Sequence, residues 1–279
     1  MEFTFVAGLL LGMLGALMLN IGKGVQKQKV QVLKQGRRMF RAPHRRDLGV
    51  WLIGLALTAT AAVPISLGLK LSESPSIVSA MTGIGLVGLT IYATRVIGER
   101  VGWFDGSGIA LVVVGTSALS FLAGGEKPPP DIDTTLLTWT VVAMVGAAVA
   151  LCLLALVIRP IHGVVYGAAA GLGIGLAIFL DDVALVRAGG DFAAHLQTPG
   201  PYFAYLFAIA AMVVTQLGFF RARALVVVPA INSSIILSPM LLERIVYGRG
   251  LDALGLVMVG VIVVGVVILS TGAAARVSK

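Results

Sequence analysis

Apolar residues run along this chain in stretches of about twenty, each closed by a short polar or basic segment. A bilayer core is about 30 Å thick and takes roughly 20 residues of helix to cross, so stretches of this length predict membrane spans. They fall at 3–23, 48–70, 75–96, 105–124, 134–158, 162–181, 201–220, 224–243 and 252–272. Lipid offers no partner to backbone N–H and C=O groups, which leaves only helices or a closed barrel as spanning structures. Barrel strands alternate apolar and polar residues, whereas these runs are continuous. The fold class predicted is therefore all-α, a polytopic membrane protein of nine transmembrane helices.

Charge adds an orientation. The 279 residues are 58% hydrophobic and 12% charged, against about 25% charged in soluble domains. Net charge is +8, yet nine of the 21 Lys and Arg residues lie between Lys23 and Arg46, directly after the first span. Membrane topology accounts for that cluster, and nucleic acid is not an expected partner. With the N-terminus outside, 16 basic residues face the cytoplasm and 5 face outward. The positive-inside rule thus predicts a plasma-membrane protein (cytoplasmic membrane in a bacterium) with an external N-terminus and a cytoplasmic C-terminus. Glu2 precedes the first span and the basic cluster follows it, the reverse of a cleavable signal peptide, so this span is expected to remain. Cys152 is the only cysteine, which excludes a disulfide framework or a thiolate metal cluster within one chain. Lys127-Pro128-Pro129-Pro130-Asp131 reads as a stiff external connector, and 182–200 as the longest external loop.

Two stretches resemble each other. SIVSAMTGIGLVGLTIYATRVIGER ends on Glu99-Arg100, and RALVVVPAINSSIILSPMLLERIVYGR carries Glu243-Arg244 at the matching end. Each follows a span with a Leu-Gly step, Leu67-Gly68 or Leu217-Gly218, and precedes a Gly- and Val-rich span. Small residues recur every four positions at Gly8, Gly12 and Ala16, and again at Gly163, Gly167, Gly171 and Gly175. That spacing lines one helix face and permits close backbone approach. The chain therefore divides into a first repeat (1–124, spans 1–4), a connector with linking span 5 (125–158), and a second repeat (159–279, spans 6–9). Five spans from repeat to repeat invert the second half, an architecture recurrent in secondary transporters, which place the substrate near the midplane.

The four-span unit, with a first span ending LMLNIGKG, a paired second and third span closing on Gly-Glu-Arg, and a glycine-containing fourth, resembles the drug/metabolite transporter superfamily. Within it, the basic segment GVQKQKVQVLK and the stretch TQLGFFRARALVVVPAINSS look most like the NIPA-type magnesium transporter branch. The resemblance implies a carrier, with magnesium, another divalent cation or a small organic solute as substrate. Small multidrug resistance exchangers carry a glutamate in mid-span 1, whereas this chain is apolar from Phe5 to Leu19, which argues against antiport of cationic drugs.

Polar groups deep in the spans are the candidate site, because amides resist burial without partners. Asn20, Gln216, Asn232, Ser233 and Ser234 are predicted to bind substrate, with Pro229 disrupting the helix ladder beside them. The bland alternative is interhelical hydrogen-bonding glue. Asp181 and Asp182 are the candidate hard oxygen ligands for a divalent metal, against the alternative of solvated helix-end carboxylates. Glu99 and Glu243, each beside an arginine, read as paired interfacial anchors. Tyr92 and Tyr166 read as packing residues, and His44, His162 and His195 fall in or beside loops. GLGIG at 171–175 follows no strand, so a nucleotide fingerprint is rejected and no cofactor is implied.

The leading function is a secondary carrier, not an enzyme, working by alternating access. One alternative is a carrier or flippase of an anionic or polyprenyl-linked lipid held by Arg37, Arg38, Arg41, Arg45 and Arg46. Another is a non-transporting scaffold or partner subunit. Membrane lipids are expected partners, and self-association into a homo-oligomer stays open.

Overall fold

The computed structural model of the chain describes residues 2–72, 82–122, 132–189, 191–248 and 253–277. The connector 127–131, positions 75–81 of the third predicted span and Gly190 lie outside these. The described residues are all-α: α1 (Glu2–Lys29), a 3₁₀ segment (Val30–Phe40), α2 (Arg45–Thr60), α3 (Ala62–Ser72), α4 (Thr82–Tyr92), α5 (Trp103–Leu122), α6 (Thr134–Val157), α7 (His162–Arg187), α8 (Phe192–Leu196), α9 (Gly200–Arg221), α10 (Ala224–Tyr247) and α11 (Ala253–Val277). Six helical stretches among them are long and apolar enough to cross a membrane, which marks a multi-pass membrane protein. Three shorter apolar helices, Gly83–Ile97, Trp103–Leu119 and Ala253–Leu269, coincide with the remaining predicted spans.

Small residues set which helices touch. A methyl group added at Gly171 would stand 2.5 Å from Ser234 Cβ and 2.6 Å from the Ile231 carbonyl oxygen. Gly163, Gly167 and Gly175 meet Val226, Ala230 and Ser238 in the same way, so the four-residue stripe of α7 lies along α10, and the two helices run parallel. Gly173 meets Ala211 and Gly218 meets Tyr166, which makes α9 antiparallel to α7. Helix α1 also packs through its small residues. Gly15 meets Ala61 and Ile65 while Gly22 meets Gly54 and Thr58, so α2 and α3 run antiparallel to it. Gly85 meets Ala16, and Gly24 meets Leu89 and Tyr92, so α4 runs parallel to it. Helices α5 and α11 cross antiparallel, Gly108 against Gly265 and Leu269, Gly115 against Ile262.

Two boundaries differ from the sequence reading. The polar residues Asp181 and Asp182 do not end α7, which continues to Arg187, because Val183 packs with Leu176, Phe179 and Leu242. The supposed loop 182–200 thus starts with helix and also contains α8. Likewise the basic first loop is largely ordered: α1 extends to Lys29, and the 3₁₀ segment after it buries Val30 and Val32 while leaving its arginines exposed.

Candidate functional site

The deep polar residues gather where α1 meets α9 and α10. Asn20, Lys23 and Gln26 follow one another at three-residue steps on α1, which keeps them on one face of the helix. Asn20 is 0% exposed, and its Nδ2 donates to the Ala16 carbonyl at 3.0 Å. Its Oδ1 accepts from Asn232 Nδ2 at 2.7 Å. Asn232 in turn accepts at Oδ1 from Lys23 Nζ, 3.0 Å away. One amide on α10 therefore bridges two α1 side chains through its donor and its acceptor at once. Space for it comes from α4, since any side chain at position 85 would collide with Asn20 Nδ2.

One turn further along α1, Gln26 Nε2 donates to Thr58 Oγ1 at 2.8 Å and to the Gly54 carbonyl at 3.2 Å. Gln26 Oε1 accepts from Gln216 Nε2 at 2.7 Å, and Gln216 Oε1 accepts from Trp51 Nε1 at 3.2 Å. Every buried amide of the cluster is thereby engaged, as burial in an apolar interior requires.

Nearer the basic end the α9–α10 turn, Arg221 to Arg223, is held by both of its helix termini. Lys27 Nζ donates to the Phe219 carbonyl in the last turn of α9. Glu99 accepts from the first amides of α10, Ala224 N at 2.7 Å and Leu225 N at 3.1 Å. A cation at a helix C-terminus and an anion at an N-terminus each complement the helix dipole. The π-helical turn Ala93–Ile97 and Gly98, at φ +80°, aim Glu99 there, and Glu99 N donates back to the Ala93 carbonyl at 2.9 Å. Arg223 completes the contact, reaching Asp105 Oδ2 at 3.3 Å, Glu99 Oε2 at 3.9 Å and the Arg100 carbonyl at 2.7 Å. Glu99 is thus a paired anchor, and its guanidinium partner is Arg223, more than 120 positions away in the chain.

The structure joins Asn20 directly to Asn232 and links Gln216 to the same face of α1 through Gln26. It does not bring in the two serines. Ser233 Oγ is buried and donates to the Pro229 carbonyl of its own helix at 2.9 Å, while Ser234 faces Gly171 of α7. Asp181 lies far along α7 and pairs with His195 of α8, Oδ1 to Nε2 3.2 Å. Asp181 and Asp182 are both exposed. No group of three His, Cys, Asp or Glu side chains placed to hold a metal occurs among the described residues. Tyr166 is buried and accepts from Arg221 Nη1 at 2.8 Å; Tyr92 donates to Gln28 Oε1 at 2.7 Å. Gln26 and Trp51 are not among the residues that the sequence singles out, and Lys23 enters there only as the first member of the basic cluster. The signal available for Gln26 was its three-residue spacing from Lys23.

A cavity of about 250 Å³ lies elsewhere, between α6, α7 and α9, lined by Met144, Cys152, Leu172, Leu176, Phe207 and Val214 among others. It offers no polar group to orient a solute. No protein-family model, curated protein or solved structure matches the chain.

Proposed function

We propose that the protein is a secondary carrier whose two halves, spans 1–4 and 6–9, move against each other about the Asn20–Lys23–Asn232 contact. The observation that carries this reading is a cluster of buried amides and one lysine at the meeting of α1 with α9 and α10. Polar groups inside a membrane protein are expensive and tend to mark transport paths. Helix directions support the inverted arrangement. The C-terminal end of α1 meets that of α9, Gln26 on Gln216 and Lys27 on Phe219, and α7 is antiparallel to α9, so α7 opposes α1. Inverted halves with a site between them are the carrier pattern. The basic connections assigned to the cytoplasm also meet, Lys34 over Phe220 and Arg223 on Glu99, which puts them on one side of the bundle, as nine spans require. These features favour a carrier over a scaffold, and the drug/metabolite transporter type is the class whose plan they fit.

The test is flux. Proteoliposomes should accumulate one class of small solute faster than protein-free liposomes, from a panel of organic anions, organic cations, neutral solutes and Mg²⁺. Asn232→Leu combined with Lys23→Met, the pair of changes that keeps most of the stability, should reduce that flux to the protein-free rate. If no solute in the panel moves faster with the wild-type protein, the carrier reading fails.

A further inference from the structure

Lys23 is 3% exposed and makes one hydrogen bond, to Asn232 Oδ1. An ammonium carries three N–H donors and a full positive charge. The ion pairs among the described residues are Lys29–Asp47, His195–Asp181, Arg223–Glu99 and Arg223–Asp105, and Lys23 belongs to none of them. The acids Glu99 and Asp105 are committed elsewhere: Glu99 to the first amides of α10 and Asp105 to Arg223. A lysine near a membrane surface ordinarily escapes burial by stretching its ammonium to water. This one does not, and its head is turned inward between the halves. Burying a cation without a counter-charge is among the most costly arrangements a protein interior holds.

We infer that Lys23 is the recognition point for an anionic oxygen group, a carboxylate or a phosphate, carried by the substrate. The inference rests on the carrier reading and names the substrate class of that same site. Two donors of Lys23 are left for the ligand, and Asn20 and Asn232 stand beside it with amide N–H groups that can turn to the same oxygens. A charge-assisted hydrogen bond to an ammonium in a water-poor site is a strong discriminator. A positive charge there repels a divalent metal ion or an organic cation, and among the described residues no carboxylate hydrogen-bonds to the cluster. Magnesium, the substrate that the sequence resemblance implies, is the wrong sign for this site.

The experiment is thermal stabilisation of the whole purified protein in neutral detergent. The probes are inorganic phosphate, a mono- and a dicarboxylate, a phosphate monoester, phosphatidylglycerol, Mg²⁺ and tetraethylammonium. At least one anion should raise the unfolding midpoint in a saturable way. Lys23→Gln should weaken its apparent Kd by roughly 10- to 100-fold, the worth of one charge-assisted hydrogen bond. Lys23→Arg should keep the response, which guards against a glutamine variant that merely folds poorly. Arg37→Gln/Arg38→Gln should leave it unchanged. Stabilisation by phosphatidylglycerol alone, lost in Lys23→Gln, would identify the anion as a lipid headgroup; stabilisation by a soluble anion identifies a solute. The inference is overturned if only Mg²⁺ or tetraethylammonium stabilises, if nothing does, or if the anion response survives Lys23→Gln. Anion binding without flux in liposomes would sink the carrier reading and leave the anion site standing; flux of a cation without anion binding would do the opposite.

Discussion

Asn232→Leu lowers the stability of the solubilised protein by about 1.5–3 kcal/mol, the worth of a buried hydrogen bond to a charged group, and adding Lys23→Met restores most of the loss. The first change deletes the only acceptor of the buried Lys23 ammonium and one acceptor-donor link to Asn20. What remains is a cation facing leucine. The second change removes that cation, so the double variant is left with an apolar contact of similar volume. Replacing both members of a buried polar pair is often close to neutral, whereas replacing one is not. Chemical unfolding of the single and double variants, read as a double-mutant cycle, checks this. A double variant as unstable as the sum of the two singles would show that Lys23 and Asn232 are not coupled, and the site would lose its centre.

Arg223→Ala costs about 3 kcal/mol, because it strips a guanidinium from a buried carboxylate. Asp105 is 0% exposed, and Arg223 spans it, Glu99 and the Arg100 carbonyl together. Lysine lacks the wide planar fork by which Nη1 and Nη2 reach both Asp105 oxygens and the Arg100 carbonyl, so Arg223→Lys recovers only part of the stability. Glu99→Gln has a smaller cost, about 0.5–2 kcal/mol, the worth of a helix N-terminal cap. Denaturant unfolding ranks the three. Were Arg223→Ala to unfold at the wild-type midpoint, apolar packing around Phe219 and Leu225 would be holding the α9–α10 turn, and the polar contacts between the halves would be incidental.

Much of the helix pattern was legible because lipid imposes it. A run of about twenty apolar residues has one spanning solution, and the glycine stripe of α7 announced a close helix contact through its four-residue period. Boundaries read from charge were less secure. Asp181 and Asp182 look like a helix end, yet one flank of the next turn carries Val183 and Ala184 into the core, and burial outweighs two exposed carboxylates. Asn20, Gln216 and Asn232 could be picked as buried because amides have no place facing lipid. Their partners could not be read. Which amide meets which depends on how α1 lies across α9 and α10, and those contacts join residues about 190 to 212 positions apart. Glu99 shows the same limit. Its neighbour Arg100 was the obvious partner in sequence, but Gly98 turns the carboxylate to the start of α10. Ser233 and Ser234 adjoin Asn232 in sequence but face other neighbours, because a helix points successive residues about 100° apart: Ser233 turns to the Pro229 carbonyl and Ser234 to Gly171.

The claim that two halves alternate around Asn20, Lys23 and Asn232 is tested most directly by accessibility. With Cys152 changed to serine the chain has no other cysteine, and Asn20→Cys then places a single thiol at a position that is 0% exposed here. An impermeant thiol reagent is applied to right-side-out and to inside-out vesicles. Slow but complete modification from both faces is the predicted result, because each face reaches the site in turn. Modification from neither face, or from one face alone, would contradict alternating access at this site.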